Sequence, residues 1–176
     1  SGSVAFFNIE RSNVVQTYPA VPVPPGIPQF FLSGLEGSKG VEAEIFYTPS
    51  EFWQFILSYA HTDARILESN RATDVGLQLA QTSPDAYSII IKHSVPRGAL
   101  KGLSLGALVI HRAGPIPEFS TYGNRLLVDD AWTRLDCFAA YDAKVLGVRA
   151  KFSLNVNNVT DTVYQERQGM LNAPRQ

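Results

Sequence analysis

The sequence predicts an all-β chain: antiparallel up-and-down strands that form part of the wall of a transmembrane β-barrel. Three observations carry this. Apolar and polar residues alternate in several stretches, most cleanly in Val148–Val156, where Val148, Ala150, Phe152, Leu154 and Val156 fall on one side. Arg149, Lys151, Ser153 and Asn155 fall on the other. Successive Cβ atoms of a strand point to opposite faces, so strict alternation is a β signal. Each clear run is about 9–11 residues, the length a tilted strand needs to cross a bilayer. The connections between about seven such runs alternate long, short, long, short, long, short, as in membrane barrels with turns on one side and loops on the other. A soluble sandwich has no reason to sort its loops by parity.

Composition is compatible with this and excludes little else. The 176 residues carry a formal net charge of −1, which offers no basic face for nucleic acid. There is no uninterrupted apolar run of the roughly 18 residues that a membrane helix requires. No leader is visible at the start, so the chain reads as a mature or internal piece. Cys137 is the only cysteine, which rules out an internal disulfide and any cysteine-cluster metal site. Ten Phe, seven Tyr and two Trp suit strands with interfacial rings.

The runs fall in order. Residues 4–10 alternate and extend towards Val15. Residues 18–38 hold Pro19, Pro22, Pro24, Pro25, Gly26 and Pro28 and read as a long loop, because proline cannot donate to a ladder. Alternation resumes over 40–47, followed by a tight turn around Pro49. Residues 53–65 form the next strand, and 67–85 a second long loop with room for a helical turn at 74–81. Residues 86–95 and Leu103–Arg112 are strands joined by a turn at 96–102. Residues 114–131, with Pro115, Pro117 and Gly123, read as a third long loop. The last pair, 133–141 and Val148–Val156, is joined by a turn over 142–147, and a polar tail starts at Gln165. Trp53, Tyr47 and Tyr141 stand beside short turns, where an aromatic girdle belongs.

At this point the residues resemble a known family. Leu154-Asn155-Val156-Asn157-Asn158-Val159-Thr160-Asp161-Thr162-Val163-Tyr164 resembles the "LNVxNLFDxxYY" pattern in the penultimate strand of TonB-dependent outer-membrane receptors. It departs at Thr160, where an aromatic is usual, and at Tyr164, which lacks a second Tyr. Residues 37–44 are similar to that family's "RSRGVELE" strand start, 53–63 to its "LxxxxSYTYxDA" strand, and 133–136 to its "YTRVD" start. The matches run in order over nearly the whole chain.

The resemblance implies a barrel of about 22 strands around a plugged lumen. On that reading residues 1–176 are a C-terminal segment, without the plug, the earlier strands or the last strand. It implies a bacterial outer-membrane location and contact with outer-membrane lipid, with the remainder of the barrel and with the plug domain. It also implies coupling to the TonB complex, and import of a ferric siderophore or similar scarce nutrient. An isolated open sheet would leave two unpaired edges that lipid cannot satisfy.

Ligand contacts are expected in the long loops, at Phe30, Phe31, Phe119, Tyr122 and Arg125, because aromatic and Arg side chains suit an iron chelate. Ordinary loop packing is the competing account of these five. Glu42, Glu44, Arg112, Arg134, Asp136, Arg149, Lys151 and Asn155 are expected to face the lumen and to pair with one another or with the plug. The cluster Asn155, Asn157 and Asn158 reads as a structural cap on the strand exit. His61, His93 and His111 lie on three different strands and on the apolar side, so no metal site is expected. No catalytic set and no cofactor are expected either. Two competitors stay open: a small soluble β-barrel or sandwich carrying a hydrophobic ligand, and a passive porin-type barrel.

Overall fold

The structure is a computed structural model that describes residues 1–17, 26, 30–79, 82–114, 116–119, 126–167 and 170–171. Eleven strands follow one another: β1 (Gly2–Thr17), β2 (Phe30–Ser50), β3 (Trp53–Glu68), β4 (Asp85–Ser94), β5 (Leu103–Arg112), β6 (Ile116–Phe119), β7 (Leu126–Asp129), β8 (Trp132–Val145), β9 (Val148–Val156), β10 (Gln165–Arg167) and β11 (Met170–Leu171). Seven of them make one sheet in the order β1-β2-β3-β4-β5-β8-β9, every neighbouring pair antiparallel. The sheet is not closed; β1 and β9 are its edges. The pairs β6-β7 and β10-β11 form two small separate hairpins.

Register sorts the side chains across the whole sheet. Tyr47, Phe55, Ile91, Ala107 and Cys137 are linked partner to partner, and so are Ile45, Leu57, Ile89, Val109 and Leu135. Across the last pair Tyr141 meets Phe152 and Ala139 meets Leu154. Partners in register share a face, so these rows build one apolar face. On the other face Glu44, Ser58, Ser88, Ile110 and Arg134 form a row, and Phe138 meets Asn155.

The apolar face is not covered within the sheet. Val4, Phe6, Ile45, Val148, Phe152 and Leu154 are all exposed. Among the described residues the buried hydrophobic side chains are only Ala64, Trp132 and Tyr164. A sheet with its apolar face bare and almost nothing enclosed has the opposite construction to a soluble sandwich, which buries that face.

The structure corrects several sequence-based boundaries. The loop expected over 18–38 gives way to strand at Phe30, because β1 and β2 continue to pair from Gly2↔Ile45 out to Thr17↔Phe30. A slip near Val14 accommodates the mismatch there, beside Asn13 at φ 57°. Phe30 and Phe31 are therefore strand residues, not loop residues. The third long loop contains the β6-β7 hairpin, in which Pro117 does not prevent pairing because each of its strands has one partner. The helical turn lies at Ala72–Asp74, ahead of the expected 74–81. The turn placed over 142–147 is only Leu146-Gly147, both in the left-handed region (φ 50° and 84°), as a two-residue hairpin turn requires.

Candidate functional site: the polar face and its outer rim

The most buried polar group on the polar face grows from the alternation of β8. Trp132, Arg134 and Asp136 are two residues apart and so project from the same face. The segment after β9 folds back to meet them. The Asn158 backbone N–H donates to Asp136 Oδ1 at 2.7 Å, and the Val159 N–H donates to the Leu135 carbonyl at 2.7 Å. Arg134 Nη2 stands 3.0 Å from Asp136 Oδ2, and Arg134 Nη1 donates to the Tyr164 hydroxyl at 2.7 Å. The Tyr164 ring stacks on Trp132 with centroids 4.3 Å apart.

Asn158 holds the returning segment in shape. Its Nδ2 donates to the Thr162 carbonyl at 3.0 Å, and its Oδ1 accepts the Thr162 N–H at 3.0 Å. It does so at φ 52°, in a region that Asn tolerates better than most residues. Asp136 and Asn158 are 8 % and 3 % exposed, so their hydrogen bonds are made away from water, where leaving them unmade is costly. This arrangement is a latch between β8 and the chain beyond β9.

The apolar face ends in polar and aromatic groups on both sides. Beside the short turns Trp53 stacks on Phe55 at 5.7 Å and contacts the His93 ring at 4.2 Å. At the opposite end Asp85 Oδ1 accepts the Tyr59 hydroxyl at 2.7 Å and lies 2.9 Å from His61 Nδ1. Tyr87 stacks on His111 at 4.7 Å, and His111 Nδ1 is 2.8 Å from Thr133 Oγ1. The three histidines thus sit in three separate settings, and no group of metal-ligating side chains is present among the described residues.

The residues singled out from sequence distribute as follows. Glu42 and Glu44 lie on β2, Arg112 on β5, Arg134 and Asp136 on β8, and Arg149, Lys151 and Asn155 on β9, all on the polar face. Arg134 and Asp136 pair with each other. Glu42, Glu44, Ser58, Ser88 and Arg112 line one shallow trough of about 360 Å³ that crosses the middle strands. Phe30 is exposed near the far end of the β1-β2 hairpin, and Phe119 pairs with Leu126 in the β6-β7 hairpin. Tyr122 and Arg125 lie outside the described residues; of the rest, Phe30 and Phe31 are on β2 and Phe119 is on β6. Sequence reasoning did not find Trp132 and Tyr164 as partners. The spacing Trp132, Arg134, Asp136 was a usable signal for β8, but nothing local announces the fold-back of Tyr164.

Comparison with known proteins matches this architecture. A family model described as TonB dependent receptor-like, beta-barrel, covers residues 1–159. An uncharacterized TonB-dependent receptor of Haemophilus influenzae is 24 % identical over 165 residues, which span 93 % of this chain and 46 % of that protein. The metal-pseudopaline receptor CntO of Pseudomonas aeruginosa is 27 % identical over 94 % of this chain and 22 % of its own length. The crystal structure of the ferripyoverdine receptor of the P. aeruginosa outer membrane, bound to ferripyoverdine, superposes with a TM-score of 0.76 at 23 % identity. That likeness of fold covers 99 % of this chain and 23 % of the receptor. The chain thus spans about half or less of the relatives it matches. With an open seven-stranded antiparallel sheet, one bare apolar face and a family model over most of its length, the chain belongs to the TonB-dependent receptors of the bacterial outer membrane and supplies part of their β-barrel.

Proposed function

We propose that residues 1–176 are a C-terminal segment of the barrel of an active-transport receptor that binds a ferric siderophore, or a similar scarce chelated nutrient, and imports it with energy supplied through TonB. The observation that carries the reading is the sorting of side chains by face. Phe6, Ile45, Leu57, Ile91, Leu105 and Phe152 form an uncharged exposed band across strands β1 to β9. Acyl chains are the partner such a band suits, since water would leave it unstable. The opposite face, with Glu42, Glu44, Arg112, Arg134, Asp136, Arg149, Lys151 and Asn155, then lines the lumen and meets the plug.

The wall does no chemistry. It holds a hydrogen-bonded cylinder in which no backbone group meets lipid unpaired once β1 and β9 find their neighbours. It also presents outer segments to the ligand. Phe30, Phe31, Phe119, Tyr122 and Arg125 remain the contact candidates on these segments. The substrate class is supported by relatives whose names state a metal chelate: metal-pseudopaline for one, ferripyoverdine for another.

The test is uptake of radiolabelled iron by cells carrying the full-length receptor as their only route for a given siderophore. Saturable uptake that stops with a protonophore, or with deletion of the TonB partner, is the expected result. Energy-independent passage of unrelated solutes would replace the reading with a passive pore.

A further inference from the structure

The shallow trough of about 360 Å³ on the polar face lies between groups of opposite charge. Its floor is Ser58 and Ala60 on β3 with Ala86 and Ser88 on β4. Glu42 and Glu44 form one bank, on β2, as the partners of Ala60 and Ser58. Arg112 forms the other, on β5, as the partner of Ala86. Glu42 and Arg112 are therefore three strand spacings apart, about 14 Å between backbones.

The trough has a wall and a mouth. The next row towards the short turns is bulky, with Phe46, Ile56, Ile90 and Leu108 in register. On the other side it opens where Asp85 begins β4 and Arg112 ends β5, at the roots of the long segments. Among the described residues Glu42, Glu44 and Arg112 enter no ion pair. Arg134, in the row of Glu44, is held by Asp136 and Tyr164, and neither Asp130 nor Asp136 pairs with Arg112. Exposed charges in open water need no partner. Opposite banks over an empty floor, in an enclosed lumen, are complementary to a guest that carries both signs at its two ends.

We propose that the trough is a subsite for a metal chelate with an ammonium group at one end, seated between Glu42 and Glu44, and a carboxylate at the other, paired with the Arg112 guanidinium. The proposal rests on the reading of the polar face as the lumen of a chelate importer, and it narrows the substrate. A chelate whose charge is uniformly negative, such as a ferric tricatecholate, would meet the two glutamates with repulsion.

The test is calorimetric titration of the full-length receptor in lipid nanodiscs with three ferric hydroxamates built on one kind of iron core. Ferrioxamine G has an ammonium end and a carboxylate end, ferrioxamine B has only the ammonium, and ring-closed ferrioxamine E has neither. Affinity should fall in the order G, B, E, by about ten-fold at each step, the worth of one charged contact. Arg112→Gln should make G and B equal. The double variant Glu42→Gln with Glu44→Gln should make B and E equal. Outer-membrane abundance and thermal unfolding report whether the variants fold. Any other order in the native receptor, or variants that weaken all three chelates alike, would overturn the proposal. So would import of a ferric tricatecholate with none of the three hydroxamates bound, an outcome that leaves the transport reading standing. Absence of energy-dependent uptake for every ferric chelate sinks the transport reading itself, and the subsite with it.

Discussion

The Trp132 ring lies flat against Tyr164, centroids 4.3 Å apart and planes tilted by 28°, while the Tyr164 hydroxyl accepts a hydrogen bond from Arg134. One tyrosine is thus held by its face and by its tip. Trp132 opens β8 directly after the β6-β7 segment, and Tyr164 stands just before β10. The stack therefore ties together the roots of two outer segments that the sheet alone leaves independent.

Tyr164→Phe removes the tip contact and keeps the stack. It should cost about 1.5–3 kcal/mol, the worth of a hydrogen bond from a charged donor. Tyr164→Ala loses the ring as well and should cost roughly 3–5 kcal/mol. Urea unfolding of the full-length receptor in lipid bilayers measures both. Equal losses would show that the stack contributes nothing.

Asp136 and Asn158 act as one unit, since the Asn158 backbone is held by the Asp136 carboxylate and the Asn158 side chain then shapes 158–162. Asp136→Ala and Asn158→Ala should be strongly non-additive, with a coupling of about 1–3 kcal/mol in a double-mutant cycle. Additivity within a few tenths of that scale would mean the two bonds are made independently.

Leu146 occupies a left-handed turn position with its side chain fully exposed, so it pays backbone strain and gains no packing. Leu146→Asn should raise stability by about 0.5–1 kcal/mol, because Asn-Gly suits the two-residue turn that Leu146-Gly147 forms. The same unfolding assay reads the sign. A loss would show that Leu146 is covered by something in the intact receptor.

Phe152 and Ser153 are neighbours in sequence that point to opposite faces. Phe152→Arg puts a cation on the bare apolar band close to the girdle that its partner Tyr141 marks, and should cost about 1–2 kcal/mol, between the interface and midplane values. Ser153→Arg should be nearly neutral. Comparable damage from both, scored as receptor abundance in outer-membrane fractions and as unfolding free energy, would contradict the assignment of the faces.

Gly106 faces the Phe138 ring across β5 and β8, and a Cβ there would overlap it. Gly106→Val should therefore lower receptor abundance, and adding Phe138→Ala should restore much of it by making room. Failure of the second change to rescue would mean that the damage lies in the backbone and not in this contact.

Much of the sheet was legible because the information is local. The period of two is written into Leu103–Arg112 and Val148–Val156, whose ends agree with the strands observed. The faces of His61, His93 and His111 followed from the same parity. What escaped had a non-local cause. Phe30 to Ser38 carries Gly34 and Gly37 and little alternation, and becomes strand only because β1 is there to pair with it. The turn over 142–147 shrank to two residues because Val145 and Val148 pair across it, despite the charges at 142, 144 and 149.

By itself the sequence determined the class of fold, the number and order of the main strands and the apolar side of most of them, since alternation and loop parity are properties of adjacent residues. In β1 the alternation misleads, because pairing puts Ala5 and Phe7 with Glu42 on the polar face and Val4 and Phe6 on the apolar one. Only the tertiary structure decided that Tyr164 returns to Trp132, that Asp136 holds Asn158, and that Lys144 stands opposite Arg149. Those are contacts between distant or cross-strand positions, set by register, and register is an outcome of pairing that no single strand encodes.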